Sequence, residues 1–440
     1  MKHKKSLIVF TALFSVAVFI SIFLMMWFWG DQYPDFNTTT FREEIAIPGL
    51  KDGACPQGLA MSKQNVYNKN GDIEYDNTDS EGKPAGEPKK QDYYLVSAYF
   101  KDKPSRIYVT GKQSGYLGYV SLTYHGEPFY GHVGGVATDK DGKVLWLGSE
   151  NKVYCVKSTN KDYNVIEQII LNCISGDTFE LDPDTTTNSV FEINGSASFV
   201  SYYRASTSTG KYTEKLYVGE FYRAGNYETP SSHHVTLPDG SKNRAFMYEF
   251  NVSTSTEYGL SKKTDDSKMS VQVPRVDKIF SIPDRIQGAA LVSGSNDSGD
   301  ILVLSQSYGL DNSEILLYNF STIETSGNSI SYSSIDPNGN NFPYAGVTVE
   351  STGRQYYSDT NISVYYVYGN SNSKTTNGNG NKIYPSFIKS FSIPSMTEGL
   401  AVGSDDRVNI LFESAANKYK AFVRQPIDKI YSFRPSRGGR

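Results

Sequence analysis

Three polar side chains each directly precede a glycine that opens a short predicted strand: Gln57, Gln287 and Glu398. His132 lies just before a fourth strand of the same type. Carboxylate and amide oxygens are ligands that hard cations accept, so Glu398, two Gln carbonyls and water would form a partial site for Ca²⁺ or another divalent cation. The alternative is that these groups bind strand ends and trapped water.

A second set of polar residues occupies the predicted ends of neighbouring strands. Glu220 and Glu413 are its charged members, and Gln306 takes a similar place. Two carboxylates around one channel are the groups that glycoside hydrolysis needs as acid and base. The alternative is that they are salt-bridged or solvated carboxylates at the edges of the sheets.

A recurring joint indicates how the protein would position these residues. Ser-Ile-Pro or Ala-Ile-Pro is followed by Gln-Gly or Glu-Gly and then by small residues at 46–60, 281–290 and 392–401, with a weaker copy at 134–137. Proline cannot continue a strand ladder, and glycine opens the next strand. Each copy is therefore interpreted as the joint between two blades of an all-β propeller.

Counting strands between the joints predicts five blades, with six as the alternative. The fifth unit lacks a fourth strand, and the strand at Glu43–Ile47 has no blade of its own. Pairing the two would remove the open seam of the ring. The segments at 346–350 and 362–368 are interpreted as a hairpin in an insertion or as a degenerate sixth blade. The segment 165–171 is predicted to be a strand.

The N-terminus carries an uncharged stretch, Ser6–Trp29, that is long enough to cross a bilayer as a helix. Lysines precede it and acidic residues follow it, so the positive-inside rule places residues 1–5 in the cytosol and the rest outside. The prediction is a single-pass signal anchor at 6–29, a tether at 30–41, a propeller at 42–435 and a tail at 436–440.

Composition excludes some classes of protein. The net charge is −4 and no long basic run occurs, so nucleic acid is not an expected partner. Three cysteines are too few for a fold built on disulfides. Cys155 and Cys173 are interpreted either as a disulfide in an oxidising compartment or, with Cys55, as buried thiols.

The repeated Gln-Gly or Glu-Gly joint resembles that of secreted propellers of the NHL-repeat and gluconolactonase-like superfamily. This resemblance would cover about residues 43–433. In gluconolactonase-like enzymes a Glu before such a glycine binds a divalent metal in the central channel, and Glu398 matches that Glu. The resemblance thus implies metal-dependent hydrolysis of lactones, although Gln57, Gly134 and Gln287 occupy the equivalent places in the other blades.

Three functions remain open from the sequence. The first is a membrane-anchored extracytoplasmic binding or interaction module for an unknown extracellular ligand or protein. The second is a metal-assisted hydrolase of small esters, lactones or sugars that uses Glu398 together with Glu220 or Glu413. The third is a purely architectural role at the cell envelope.

Overall fold

The computed structural model describes most of the protein that follows the predicted anchor. The described residues are 21, 33, 35–182, 189–193, 195–206, 212–237, 240–264, 272–293, 299–325, 346–349, 354–357, 364–369 and 386–436. The predicted anchor at 6–29, apart from Ser21, lies outside them. Among the described residues no helix is both long and apolar enough to cross a membrane.

Five antiparallel sheets surround a central axis, and each has four strands from the axis outward. In sequence order these are called the inner, second, third and outer strands. Blade one has Cys55–Asn65, Lys90–Tyr99, Arg106–Gly111 and Gly115–Tyr124; blade two has Val133–Thr138, Val144–Ser149, Lys152–Lys157 and Val190–Glu192; blade three has Phe199–Ser206, Tyr212–Gly219, Ala245–Asn251 and Val276–Ile282; blade four has Ile286–Val292, Ile301–Gln306, Ser313–Asn319 and Phe387–Ile393. The prediction of five blades is confirmed.

Blade five is completed by the start of the propeller, which closes the ring. Its inner, second and third strands are Thr397–Val402, Val408–Phe412 and Lys429–Phe433, and its outer strand is Arg42–Ala46. The closing strand runs antiparallel to the third strand, with Arg42 opposite Ser432. This confirms the predicted pairing of the early segment with the last blade.

The end of the predicted tether also packs on blade five. The ring of Phe36 lies 4.7 Å from that of Tyr431, and Phe41 lies 5.3 Å from Phe433 between ring centroids. Phe41 is buried. Aromatic pairs at such distances add to the hydrophobic gain of burial. The polypeptide is therefore fixed to the propeller from about residue 35 rather than from residue 42.

The glycines of the joints allow neighbouring inner strands to approach one another closely. A Cβ added to Gly399 would lie 2.6 Å from the backbone nitrogen of Leu59, and one on Gly288 would lie 2.9 Å from that of Leu400. Gly58 has the same relation to blade two, where its Cβ would lie 2.8 Å from the nitrogen of Val136. Glycine is required at these positions because any side chain would push the inner strands apart.

Each joint also contains a β-bulge. The pairing of the inner and second strands shifts by one residue at Gln57–Gly58, at Gly134, at Gln287 and at Glu398–Gly399. A bulge bends its strand and redirects the side chain of the extra residue. The repeated sequence thus sets the direction of the side chains at the start of four inner strands.

The segment 165–171 is part of an α-helix, Val165–Ser175, so the predicted strand was wrong. Asn164 caps the helix by accepting a hydrogen bond from the backbone N–H of Glu167, and the Glu167 side chain accepts one from the N–H of Asn164. This capping box and an apolar spacing of three and four residues favour a helix. The outer strand of blade two is Val190–Glu192 instead.

The remaining segments extend or decorate the blades. Neither interpretation of 346–350 and 362–368 is correct, because the two segments join different sheets: Gly346–Val349 pairs with the outer strand of blade two and, in a hairpin, with Arg354–Tyr357, whereas Val364–Tyr366 runs parallel to the outer strand of blade three. The other elements are short pairs of strands or single helical turns. They are Tyr75–Thr78 with Pro84–Pro88, Val235–Thr236 with Lys242–Asn243, Lys262–Thr264 with Gln272–Pro274, Glu127–Pro128 and Phe179–Glu180 beside the outer strand of blade one, the 3-10 helices Leu50–Asp52 and Ser231–His233, and the α-helix Phe320–Thr325.

All three cysteines are free and buried. Cys155 lies on the third strand of blade two, whereas Cys173 lies on the helix that follows it. The interpretation of the cysteines as buried thiols is therefore confirmed, and Cys155 and Cys173 form no disulfide.

Candidate functional site

One end of the central channel gathers the starts of the inner strands and the ends of the second strands. We call it the joint face. Two buried carboxyl groups meet here in blade five: Glu398 at the bulge of the inner strand and Glu413 directly after the second strand. Thr397 pairs with Phe412 in antiparallel register, so Glu398 and Glu413 are diagonal neighbours on one face of this strand pair. Glu398 is 5% exposed and Glu413 is 7% exposed.

Burial changes the acidity of both groups. It raises the pKa of Glu413 to about 8, while the ammonium of Lys418 and the donor groups of Cys55, Gln57 and Tyr99 act in the opposite direction. Burial and the neighbouring Glu413 raise the pKa of Glu398 well above its usual range. Two carboxyls that share a desolvated site cannot readily ionise together. The pair therefore holds protons at neutral pH.

The carboxyl pair is incompletely satisfied by the protein. Oε1 of Glu413 is buried and has no hydrogen-bond partner of normal geometry among the described residues. Within the same described ranges neither Glu398 nor Glu413 lies within ion-pair distance of a basic side chain. Buried polar atoms almost always have a partner, so an orphaned carboxyl oxygen marks a place where another group can bind. We call Glu398, Glu413, Cys55, Gln57 and Tyr99 the acidic mouth.

Aromatic and basic side chains form the rim of the acidic mouth. The ring of His132 contacts that of Tyr99 edge-on, at 4.5 Å between centroids. His132 is exposed, and the surrounding protein lowers its pKa by desolvation, with a smaller effect from Lys418. Lys418 Nζ lies 3.2 Å from the Tyr99 hydroxyl. The loop after the second strand of blade five thus contacts blade one across the mouth.

Of the sequence-predicted residues, Glu398, Glu413, Gln57 and His132 lie together around this mouth. Gln57 is buried, and its side-chain nitrogen donates to the carbonyl of Pro56 at 2.9 Å. Its amide oxygen is thereby left for another donor or a cation.

Gln287 and Gln306 belong to the same face but to blade four. Gln287 occupies the bulge before Gly288, whose Cβ position is 2.8 Å from the carbonyl oxygen of Glu398. Gln306 donates from Nε2 to the carbonyl of Asp284 at 2.7 Å. The amide group of Gln306 therefore holds the joint between blades three and four together.

The hydrogen bonds of Glu220 give it a structural role in blade three. It is fully buried in blade three, where its carboxylate accepts hydrogen bonds from Nδ1 of His233 at 2.9 Å, the N–H of Phe246 at 2.8 Å and the hydroxyl of Tyr248 at 3.2 Å. The ring of His233 stacks on Phe246. These contacts anchor a long loop, and no described contact joins Glu220 to the carboxyl pair. The side chain of His233 is itself buried.

The protein offers a limited set of ligands for a metal ion. In the described ranges no group of three or more His, Cys, Asp or Glu residues is placed to hold one. A cation at the acidic mouth would depend on two carboxylates and the Gln57 amide oxygen. This set suits a hard cation that keeps several waters rather than zinc.

A cavity of about 590 Å³ occupies the opposite end of the channel. It is lined by the far ends of all five inner strands, including Met61, Thr138, Tyr203, Val292 and Val402. The candidate residues of the sequence analysis begin these strands and do not line it. The open volume and the carboxyl pair thus lie at different ends of the propeller.

Three residues of the mouth and its rim were not predicted from the sequence: Cys55, Tyr99 and Lys418. Cys55 and Tyr99 are paired residues on the first two strands of blade one, so the repeated joint two residues further on could have indicated them. Lys418 lies in a loop without periodicity, and nothing in the sequence predicts its direction.

No known family model matches the sequence, and a search of curated proteins finds no similar one. The structure itself defines the class: the protein is a five-bladed β-propeller, closed by its own N-terminal strand, with a buried carboxyl pair at one end of its axis.

Proposed function

We propose that the protein is a membrane-anchored extracytoplasmic binding module that holds its ligand or partner at the acidic mouth. The single observation that supports this most is the pair Glu398 and Glu413, which is buried without an ion-pair partner among the described residues and leaves one carboxyl oxygen unbonded. Such an arrangement costs stability, because buried polar groups normally pair within the protein. Sites of this kind are enriched where proteins bind or transform ligands.

The neighbouring surface fits a binding role. Tyr130 and Phe422 are 62% and 63% exposed on loops of the joint face, and Tyr227 and Leu310 are each 56% exposed there. Large apolar side chains exposed on one face are typical of interaction surfaces. A rigid propeller with loops around a central mouth is a common platform for binding.

The proposed site can be tested on the full-length protein in mild detergent. Thermal unfolding would be followed in the presence of a panel of calcium, amines, sugars and short peptides. We expect at least one class to raise the melting temperature of the wild type and of Glu81→Gln, an exposed control. The same ligand should have little effect on Glu398→Gln and Glu413→Gln. A ligand that stabilises all four proteins equally would place the site elsewhere.

The anchor can be tested independently of the site. The uncharged length of Ser6–Trp29 and the lysines before it support membrane insertion with the N-terminus inside. We expect the full-length protein to stay in the membrane pellet after alkaline extraction and a variant without residues 6–29 to be released. Added protease should reach the propeller only from the extracytoplasmic side. Release of the full-length protein by alkali would contradict the anchor.

A second candidate function is the metal-assisted hydrolysis of small esters, lactones or sugars. It is favoured by the two buried carboxyl groups at one end of the channel, because acid and base roles in hydrolysis need two such groups around one site. The position of Glu398 before Gly399 also matches the metal-binding Glu of gluconolactonase-like propellers. Hydrolysis of a chromogenic ester or a lactone should then depend on both glutamates and on an added divalent cation. If the wild type hydrolysed these substrates no faster than the double variant E398Q/E413Q, this candidate function would be ruled out.

A further inference from the structure

The loop after Glu413 brings an ammonium group of the protein itself to the acidic mouth. Its first turns are fixed by backbone hydrogen bonds from Ala416 N–H to the carbonyl of Glu413 and from Tyr419 N–H to that of Ala416, both at 2.9 Å. Lys418 projects from this turn. The loop therefore presents the lysine from a rigid base rather than from a free stretch of polypeptide.

The ammonium of Lys418 lies among aromatic groups. Its Nζ is 4.8 Å from the ring centroid of Tyr419, 5.7 Å from that of Tyr99 and 3.2 Å from the Tyr99 hydroxyl. Cations within about 6 Å of an aromatic face are attracted by the ring. Two tyrosines on different blades thus form a partial aromatic cage for a positively charged nitrogen.

The same ammonium lies close enough to Glu413 to stabilise its charged form, yet it forms no ion pair with it within 4.0 Å among the described residues. Lys418 is also solvent-exposed, so its ammonium can move away without unfolding the loop. The mouth therefore has a weakly held cation, two buried carboxyls and an orphaned oxygen. The two carboxyls and the orphaned oxygen are complementary to a positive charge that takes the place of Lys418 and lies deeper in the mouth.

We infer that the acidic mouth binds an ammonium-bearing ligand, such as a lysine side chain or an aliphatic amine, and that Lys418 is the resident ammonium which this ligand displaces. This inference rests on the proposed function and names the chemical class of its ligand. The ligand ammonium would contact Tyr99 and Tyr419 and donate to Glu413. Amines would be distinguished from neutral isosteres because a cation offsets the desolvation of a buried carboxylate more strongly than one neutral hydroxyl does.

The pH dependence follows from every titratable group around the mouth. Glu398 and Glu413 must lose protons to pair with a cation. The other groups keep their protons near neutral pH: a hydrogen bond with Tyr419 raises the pKa of Lys418, and burial raises the pKa of Tyr99, Tyr419 and Cys55. The pKa of His132 is lowered, so it is uncharged above its ordinary range. Amine binding should therefore release protons and become tighter as the pH rises toward the pKa of Glu413.

The test is calorimetric titration of the full-length protein in mild detergent with 1,4-diaminobutane, with 1,4-butanediol as its neutral isostere. We expect only the diamine to bind, with an affinity that rises between about pH 6 and pH 8 and with proton release seen in buffers of different ionisation enthalpy. Lys418→Met should bind it roughly tenfold more tightly, since the competing ammonium is gone, and Glu413→Gln roughly tenfold more weakly.

Lys420→Met is the matched control, because Lys420 lies exposed on the same loop and its side chain makes no ion pair or ring contact within the described residues. It should bind like the wild type. Equal binding of diamine and diol, weaker binding by Lys418→Met, or no binding of the diamine would overturn the inference. If calcium or a sugar then bound in a manner that needs Glu398 and Glu413, the proposed binding function would stand without the inference about amines. If no probe bound in a manner that needs these glutamates, both the binding function and the inference would be ruled out.

Discussion

Replacing Glu413 with glutamine should change how the stability of the propeller depends on pH. Burial raises the pKa of Glu413 from 4.5 to about 8 in the folded protein. The unfolded protein releases the same proton near pH 4.3, so the folded state binds more protons between these two values. The stability linked to this group is thus fully present below about pH 4.3 and is lost as the pH rises to about 8.

The magnitude follows from the size of the shift. One pKa unit corresponds to about 1.4 kcal/mol, so the full shift sets an upper limit of about 5 kcal/mol. Protons are shared with Glu398, and a buried site relaxes around a charge, so we expect about 2–3 kcal/mol between pH 5 and pH 9. Protonated Glu and Gln are nearly isosteric. The variant should therefore be closest to the wild type in stability at about pH 5 and clearly more stable than it at about pH 9.

The assay is urea denaturation of the wild type, Glu413→Gln and the exposed control Glu81→Gln at about pH 5, 7 and 9. The remaining slope of Glu413→Gln belongs to Glu398 and should be reduced further in the double variant. The reasoning is refuted if the wild type and Glu413→Gln lose stability in parallel as the pH rises. It is equally refuted if the variant is the less stable protein at pH 9.

Three further predictions concern the frame of the propeller. Gly399→Ala should cost about 2–4 kcal/mol by forcing a Cβ against the backbone of Leu59; Gly403→Ala, whose nearest neighbours are the ends of flexible side chains, should cost less in the same urea assay. A variant that begins at Pro48 should aggregate or melt without cooperativity, whereas one that begins at Tyr33 should melt like the full propeller, because only the first lacks the closing strand; equal melting would contradict ring closure. Burial raises the pKa of Cys55 to about 11 and that of Cys155 to about 12, so Ellman's reagent should find no reactive thiol in the native protein at about pH 8 and three after denaturation; fewer than three would indicate a disulfide.

The sequence was sufficient to predict the ring because its joints are local. Proline, a polar residue and glycine recur in one order, and the same order produces a strand end, a bulge and a close approach between inner strands. The closing strand was predictable because blade five lacked a partner. The helix at Val165–Ser175 was missed because its β-branched isoleucines and valine favour a strand by residue type, although Asn164 and Glu167 form the capping box of a helix.

The site was less predictable because it depends on contacts between blades. Glu398 carries its own signal in the joint, but the relation of Glu413 to it requires the register of blade five. Glu220 occupies the equivalent place in blade three and has the same residue type. Only the structure shows that His233, Phe246 and Tyr248 satisfy Glu220 while Glu413 keeps an unbonded oxygen.

The closing strand at Arg42–Ala46 also sets the timing of assembly in the cell. During synthesis this strand leaves the ribosome hundreds of residues before Lys429–Phe433, the strand with which it pairs in the finished sheet. Until Lys429–Phe433 has been synthesised, the closing strand lacks the partner with which it pairs in the finished sheet, and the ring cannot close. Premature termination before the final blade would therefore leave an unclosed ring whose exposed strand edges favour aggregation. The strand at Lys429–Phe433 thus determines when the propeller can close.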